Sequence, residues 1–172
     1  MFLTMFTGTL PSIADMRTGY EWDSRAGNRE EVWLDDFGRP YVYGSGSGVR
    51  SYTAQRFGDD VRAVMNTLNS TGDTYDVCVL NYYKDKRCGI GWHSDDSPEM
   101  DNDHPIAVLS LGGVRYIDVR RIGSRNDSER FILEEGSLFV MEAGEQLAYE
   151  HRIPKYDKET NPRLSMTFRK YS

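Results

Sequence analysis

"RLSMTFR", residues Arg163–Arg169, is the stretch on which the fold turns. Arg163, Ser165, Thr167 and Arg169 interleave strictly with Leu164, Met166 and Phe168. Successive side chains of a β-strand point to opposite faces. The segment therefore predicts a strand with guanidinium and hydroxyl groups on one face and large apolar groups on the other. Two destinations are open to the polar face. An amphipathic strand can turn it to water, or a barrel can turn it into a polar pocket where a fixed arginine meets an anion.

Upstream, the same texture begins at Tyr75. "YDVCVLNYY", "IGWHSDD", "IAVLSLGG", "VRYIDVRRI", "RFILEEGSLFVMEA", "LAYEHRIP" and "RLSMTFRKY" are short apolar or alternating runs separated by turn residues. Runs at this spacing predict a sandwich or closed barrel over 75–172, with helical material on one side. "TAQRFGDDVRAVMNTLNSTG" places Phe57, Val61, Val64, Met65 and Leu68 at helical intervals before an Asn-Ser-Thr-Gly stop, predicting a helix over 57–72. "EVWLDDFGRPYVYGSGSGVRSY" carries aromatics on both sides of a Gly-rich turn and predicts a ribbon or flap over 31–56, bent at Gly44–Gly48. Residues 1–32 have mixed polarity with Gly, Pro and Asp breaks, and read as an irregular arm with one short element.

The chain has 172 residues, 38% of them hydrophobic, enough for one buried core and so for a single domain over 1–172. A net charge of −6 means that attraction to a polyanion would need a local basic patch. Cys78 and Cys88 are too few for a disulfide framework and fit a cytoplasmic or other intracellular reducing compartment. No apolar run approaches membrane-spanning length. The opening "MFLTMFTGTLPSIADMR" lacks the basic start and unbroken apolar centre of a signal peptide.

Of the three histidines, His93 is separated from Asp95 by one residue in "WHSDD". In an extended segment that spacing points both side chains the same way, so an imidazole nitrogen and a carboxylate oxygen can share one metal ion; an exposed turn is the plainer reading of the same residues. His151 follows in "YEHRIP". Two histidines and a carboxylate form a facial triad with open coordination positions, typical of non-haem Fe(II) oxygenases. His104 precedes a proline and reads as a loop residue without a metal role.

"NYY" (Asn81–Tyr83), "WHSDD" (Trp92–Asp96), "IAVLSLGG" (Ile106–Gly113), "GSLFVM" (Gly136–Met141), "HRIP" (His151–Pro154) and "RLSMTFR" occur together in this order. The set resembles the AlkB-type Fe(II)/2-oxoglutarate-dependent dioxygenases over residues 77–169. The resemblance implies an α+β, mainly β fold: a double-stranded β-helix (jelly roll) with one or two supporting helices and an N-terminal flap. It implies that His93, Asp95 and His151 ligate iron and serve catalysis. It also implies that the far carboxylate of 2-oxoglutarate meets Arg163 and that Asn81 and Tyr83 hydrogen-bond the cosubstrate. Arg169 would join this set nearer the substrate, so that the polar face of "RLSMTFR" looks into the barrel. The implied reaction uses Fe(II), 2-oxoglutarate and O2 to hydroxylate a C–H bond. A methyl group on a base nitrogen would leave as formaldehyde, alongside succinate and CO2, as in DNA repair.

A base inside a duplex cannot reach a buried iron, so a nucleic-acid substrate, alkylated DNA or RNA, would be single-stranded or flipped. Trp33, Tyr41, Tyr43, Tyr52 and Trp92 offer flat surfaces for a base; ordinary packing is the alternative for each. "RYIDVRRIGSRNDSER" predicts a basic hairpin in which Arg120, Arg121 and Arg125 meet phosphates, with a solvated, salt-bridged edge as the alternative. Many nucleic-acid-directed relatives carry an acidic residue four positions after the first iron histidine, where this chain has Ser97. Asp96 and Glu99, the neighbouring acids, are candidates for substrate contact, with Glu99 in that acid's place if the loop is longer. The alternatives are the same chemistry on a protein side chain, an unmodified base or a small molecule, or a non-catalytic metal-binding module. A monomer without membrane contact is expected.

Overall fold

The structure, a computed structural model, describes residues 1–44 and 46–172. Its strands are β1 (Phe2–Met5), β2 (Glu30–Leu34), β3 (Tyr41–Tyr43), β4 (Arg50–Tyr52), β5 (Val77–Tyr83), β6 (Ile90–His93), β7 (Ile106–Gly112), β8 (Arg115–Arg121), β9 (Ser128–Leu133), β10 (Ser137–Met141), β11 (Tyr149–Ile153) and β12 (Arg163–Arg169). Two helices, α1 (Ile13–Gly19) and α2 (Asp59–Asn69), complete the inventory of longer elements. A six-stranded sheet runs β1-β10-β7-β12-β5-β2, a four-stranded sheet β6-β11-β8-β9, and β3-β4 form a hairpin of their own. The ladders are antiparallel, and the fold is a mainly β jelly roll, as expected.

β12 lies inside the larger sheet, between β7 and β5, and its alternation separates two environments. Leu164, Met166 and Phe168 are fully buried and pack with Met16 of α1 and with Val61, Val64 and Met65 of α2. Each such side chain contributes about 1.5–3 kcal/mol by leaving water. On the other face Ser165 stands opposite Ser110 of β7 and Asn81 of β5, while Arg163 stands opposite Gly112 and Tyr83. Further along, Val108, Phe139 and Met141 meet Ile117, Val119, Leu133 and Ile153 of the smaller sheet. A polar pocket thus sits between two apolar layers.

Three expectations are corrected. The arm is more ordered than irregular: β1 pairs with β10 at the sheet edge, and α1 is capped by Ser12, whose Oγ accepts the Asp15 N–H at 3.3 Å. All four residues of β1 are exposed, so backbone pairing alone defines a strand that hydrophobic patterning does not reveal. The flap does not begin at residue 31, because Val32, Trp33 and Leu34 are buried in β2 beside β5. The covering element is the β3-β4 hairpin; its turn spans Gly44–Gly48, of which Ser45 lies outside the described residues. The run "RFILEEGSLFVMEA" divides between β9 and β10, which belong to different sheets. Gly136, at φ +83°, adopts the left-handed backbone that this corner requires.

Candidate active site

β6 ends at His93, which β-pairing sets opposite His151 of β11, so the ladder itself brings two imidazoles together. Their ring centroids are 4.3 Å apart. Asp95 follows where the chain has left the ladder, with Oδ1 3.5 Å from His93 Nε2 and Oδ2 3.5 Å from His151 Nε2. The three ligand atoms lie within 4.8 Å of one another, and no other group of His, Cys, Asp or Glu among the described residues is so arranged. His93 Nδ1–H donates to the Gly91 carbonyl at 2.7 Å, which leaves Nε2 free to ligate. Burial lowers the His93 pKa against the opposing pull of Asp95, favouring the neutral, ligating imidazole. Burial alone would raise the Asp95 pKa, but His151, His93 and Arg169 outweigh it and hold the carboxyl below its usual range. Two imidazole nitrogens and one carboxylate oxygen suit Fe(II) and leave coordination positions open.

The pocket continues from this trio to Arg163, 1% exposed at the far wall. Arg163 Nη2 donates to Ser110 Oγ at 3.0 Å, whereas Nε and Nη1 are buried without a partner among the described residues. Burial pulls its pKa down to about 10, so it stays cationic at neutral pH. A buried cation with unmet donors is costly, and a carboxylate is its natural complement. Asn81 Oδ1 is likewise buried without a partner, and the Tyr83 ring lies 5.2 Å from the Arg163 guanidinium carbon. Arg169 Nη2 donates to the Asp95 carbonyl at 2.6 Å. These residues fit 2-oxoglutarate, with an unsatisfied cation at one end of the pocket and a metal-ligating trio at the other. Ser165 and Thr167 line the wall between, as the polar face of "RLSMTFR" requires.

Other sequence candidates are placed differently. Tyr41 and Tyr43 line the pocket, and Tyr43 stands edge-on to His93 at 6.4 Å. Trp33 and Tyr52 do not: Trp33 is 1% exposed with Nε1 donating to the Arg39 carbonyl, and Tyr52 donates to Glu31 Oε1 at 2.5 Å. Their flat faces are spent on packing against Tyr41. Trp92 points away from its neighbour His93, as strand alternation demands, and lies between Arg120 at 3.9 Å and Arg152 at 4.7 Å. Asp96 is exposed, and Glu99 Oε1 accepts the Val42 N–H at 3.2 Å, which ties it to the hairpin. In the basic ribbon Arg115 is wholly buried, donating to the Cys88 and Pro154 carbonyls. Arg120 pairs with Glu150 and the exposed Arg130 with Asp118, each at 2.6 Å, which leaves Arg121 and Arg125 as the exposed cations beside the β8-β9 turn that have no ion pair among the described residues. Sequence reasoning missed Arg29 and Glu31, which line the pocket and pair at 3.3 Å, because the arm and flap obscured β2. Their signal was the register that a β2-β5 pairing would impose, with Glu31 opposite Asn81.

Residues 11–169 match the family model described as the 2OG-Fe(II) oxygenase superfamily. Human alpha-ketoglutarate-dependent dioxygenase alkB homolog 3 is 27% identical over 166 residues, covering 86% of this chain and 56% of the relative. Human DNA oxidative demethylase ALKBH2 is 36% identical over 107 residues, covering 58% of this chain and 41% of the relative. The chain thus spans about half the length of the curated relatives it matches. The solved structure of OsALKBH1 is similar in fold, with a TM-score of 0.58 at 16% identity over 84% of this chain and 78% of that one. No helix among the described residues is long and apolar enough to cross a membrane.

Proposed function

The chain belongs to the 2OG-Fe(II) oxygenase superfamily, and from that we propose that residues 1–172 form one catalytic domain that oxidatively removes alkyl groups from nucleic-acid bases. Fe(II), 2-oxoglutarate and O2 are the family's cofactors. The observation that carries the reading is the pairing, within one pocket, of the His93–Asp95–His151 trio with the unsatisfied guanidinium of Arg163. The names of two relatives, a DNA oxidative demethylase and an alkB homolog, support the nucleic-acid part of it.

His93, Asp95 and His151 would hold the iron. Arg163 would bind the far carboxylate of the cosubstrate, Asn81 and Tyr83 would hydrogen-bond it, and Arg169 would steady the Asp95 main chain. When bound, the iron with 2-oxoglutarate and O2 supplies the oxidant that hydroxylates a substrate C–H bond, yielding succinate and CO2; a hydroxymethyl group on a base nitrogen is then lost as formaldehyde. Tyr41 and Tyr43 limit the pocket on the hairpin side and help exclude water. The base would arrive from a single strand or flipped from a duplex, with Arg121 and Arg125 meeting phosphates. An intracellular reducing compartment accords with the free, buried Cys78 and Cys88.

One observation favours a second reading, the same chemistry on a protein side chain, an unmodified base or a small molecule. Ser97 occupies the position where many nucleic-acid-directed relatives have an acid, and Glu99 is occupied with Val42 rather than with the pocket. The two readings separate in a substrate panel: iron-loaded protein with 2-oxoglutarate, scored for succinate in the presence of methylated single strands, methylated duplexes, unmodified strands and peptides. Stimulation by methylated strands alone supports dealkylation. Stimulation by peptides or unmodified strands alone transfers the assignment, and no turnover with any of them leaves a small-molecule substrate or a binding module.

A further inference from the structure

Asp95 is the one candidate ligand that lies outside a strand. The pairing of β6 with β11 reaches His93 and stops, so no ladder fixes the peptide that carries the carboxylate. Two side chains hold it instead. The Asp95 N–H donates to Gln146 Oε1 at 2.8 Å, and its carbonyl accepts from Arg169 Nη2 at 2.6 Å. Ser94 Oγ tethers the preceding residue to the Tyr149 carbonyl at 2.8 Å, which leaves the Asp95 N–H to Gln146.

Gln146 sits in a single 3-10 turn, Glu145–Leu147, ahead of β11 and is 5% exposed. Among the described residues its amide Nε2 meets only Met141 Sδ, at 3.2 Å, and a thioether is a weak acceptor. Burying an amide with so poor a second contact costs free energy that an apolar side chain would not. The side chain is nonetheless oriented with its oxygen on one backbone donor, that of a metal-ligand residue.

We infer that Gln146 is a positioning residue of the metal centre: by holding the Asp95 peptide it keeps the carboxylate between His93 Nε2 and His151 Nε2. With N–H and carbonyl both anchored, only the side-chain torsions of Asp95 remain to set its oxygens. Without Gln146 the Ser94–Asp95 peptide can turn, since Arg169 holds only the carbonyl of the following peptide, and the carboxylate leaves the geometry that two histidines fix. The inference rests on the reading of these three residues as metal ligands.

Co(II) titration by competition with a chelator tests it, on protein shown to be folded by circular dichroism and without cosubstrate. Gln146→Leu removes the acceptor and lowers Co(II) affinity by at least about tenfold, the usual cost of losing a group that orients a ligand. Gln146→Asn, which keeps the amide but falls one methylene short, gives a similar loss and covers the event that the leucine variant does not fold. Gln146→Glu keeps an acceptor at full reach and restores most of the affinity. Met141→Leu removes only the sulfur contact and leaves affinity as in wild type. The inference is overturned if Gln146→Leu and Gln146→Asn bind Co(II) like wild type, or if Met141→Leu loses as much as they do. Wild-type protein that binds no Co(II) overturns the metal reading itself, and the role of Gln146 with it.

Discussion

Replacing Arg163 with lysine keeps a positive charge at the far wall of the pocket and removes most of the donors presented there. Of the three guanidinium nitrogens, Nη2 is engaged by Ser110 while Nε and Nη1 have no partner among the described residues. A hydrogen bond to a charged group contributes about 1.5–3 kcal/mol, and an ammonium cannot reproduce the planar contact of a guanidinium with a carboxylate. Losing one such bond weakens 2-oxoglutarate binding by roughly ten- to hundredfold. Co(II) affinity should not change, because the trio is untouched. Stability without ligand should stay within about 1 kcal/mol of wild type, since breaking a cation's contacts costs little where few were made. Calorimetric titration of 2-oxoglutarate into Co(II)-loaded wild type and Arg163→Lys measures the first quantity, and metal-free denaturant melts measure the last. Coincident titration curves would mean that the unmet donors of Arg163 face no anion.

His93→Ala and His151→Ala should each abolish metal binding and turnover, as seen by Co(II) titration and succinate release. His104→Ala should spare both and cost about 1 kcal/mol of stability, because His104 Nε2 accepts the Thr74 N–H at 3.0 Å outside the pocket. Arg121→Ala and Arg125→Ala should each reduce the salt slope of oligonucleotide binding by about one, and Arg120→Ala by less, given its pairing with Glu150; fluorescence anisotropy at several salt concentrations reads this. Asp35 is a stability test remote from the chemistry. Burial would raise its pKa, but Arg39 and the Phe37 and Arg39 N–H groups hold it below the usual range. A depressed folded-state pKa contributes stability above the unfolded value, near 3.9, that is lost as pH falls through the folded one. Asp35→Asn should therefore cost about 2–3 kcal/mol at neutral pH and flatten the acid limb of the stability profile, measured by urea melts from neutral to acid pH.

The ordered motifs that resemble the AlkB-type oxygenases named the pocket residues, and strand period accounts for part of their placement. Asn81 and Tyr83 share a face of β5 and Arg163 through Arg169 a face of β12, whereas Asp95 follows the end of β6 and reaches the pocket from outside the ladder. Where packing rather than period decides, the sequence was less legible. Trp33 and Tyr52 resemble free aromatics until the hairpin closes on β2 and Tyr41 covers both. Trp92 was a wrong reading that alternation itself could have corrected, because its neighbour His93 takes the inward face. Arg115 shares parity with Ile117 and Val119, a sign of burial hidden by the many arginines around it. β1 and the Gln146 contact were illegible for another reason: one depends on backbone pairing alone, the other on a turn bringing an amide to a peptide 51 residues away in sequence.

In the proposed function, this pocket couples 2-oxoglutarate turnover to removal of an alkyl group from a nucleic-acid base. A single-stranded oligonucleotide carrying one N-methylated base, incubated with iron-loaded protein and 2-oxoglutarate, reports on it directly when base mass and succinate are followed in the same reaction. The expected result is loss of the methyl group with formaldehyde release, one succinate per methyl removed, and neither product from His151→Ala. Succinate accumulating while the methylated base keeps its mass would contradict it.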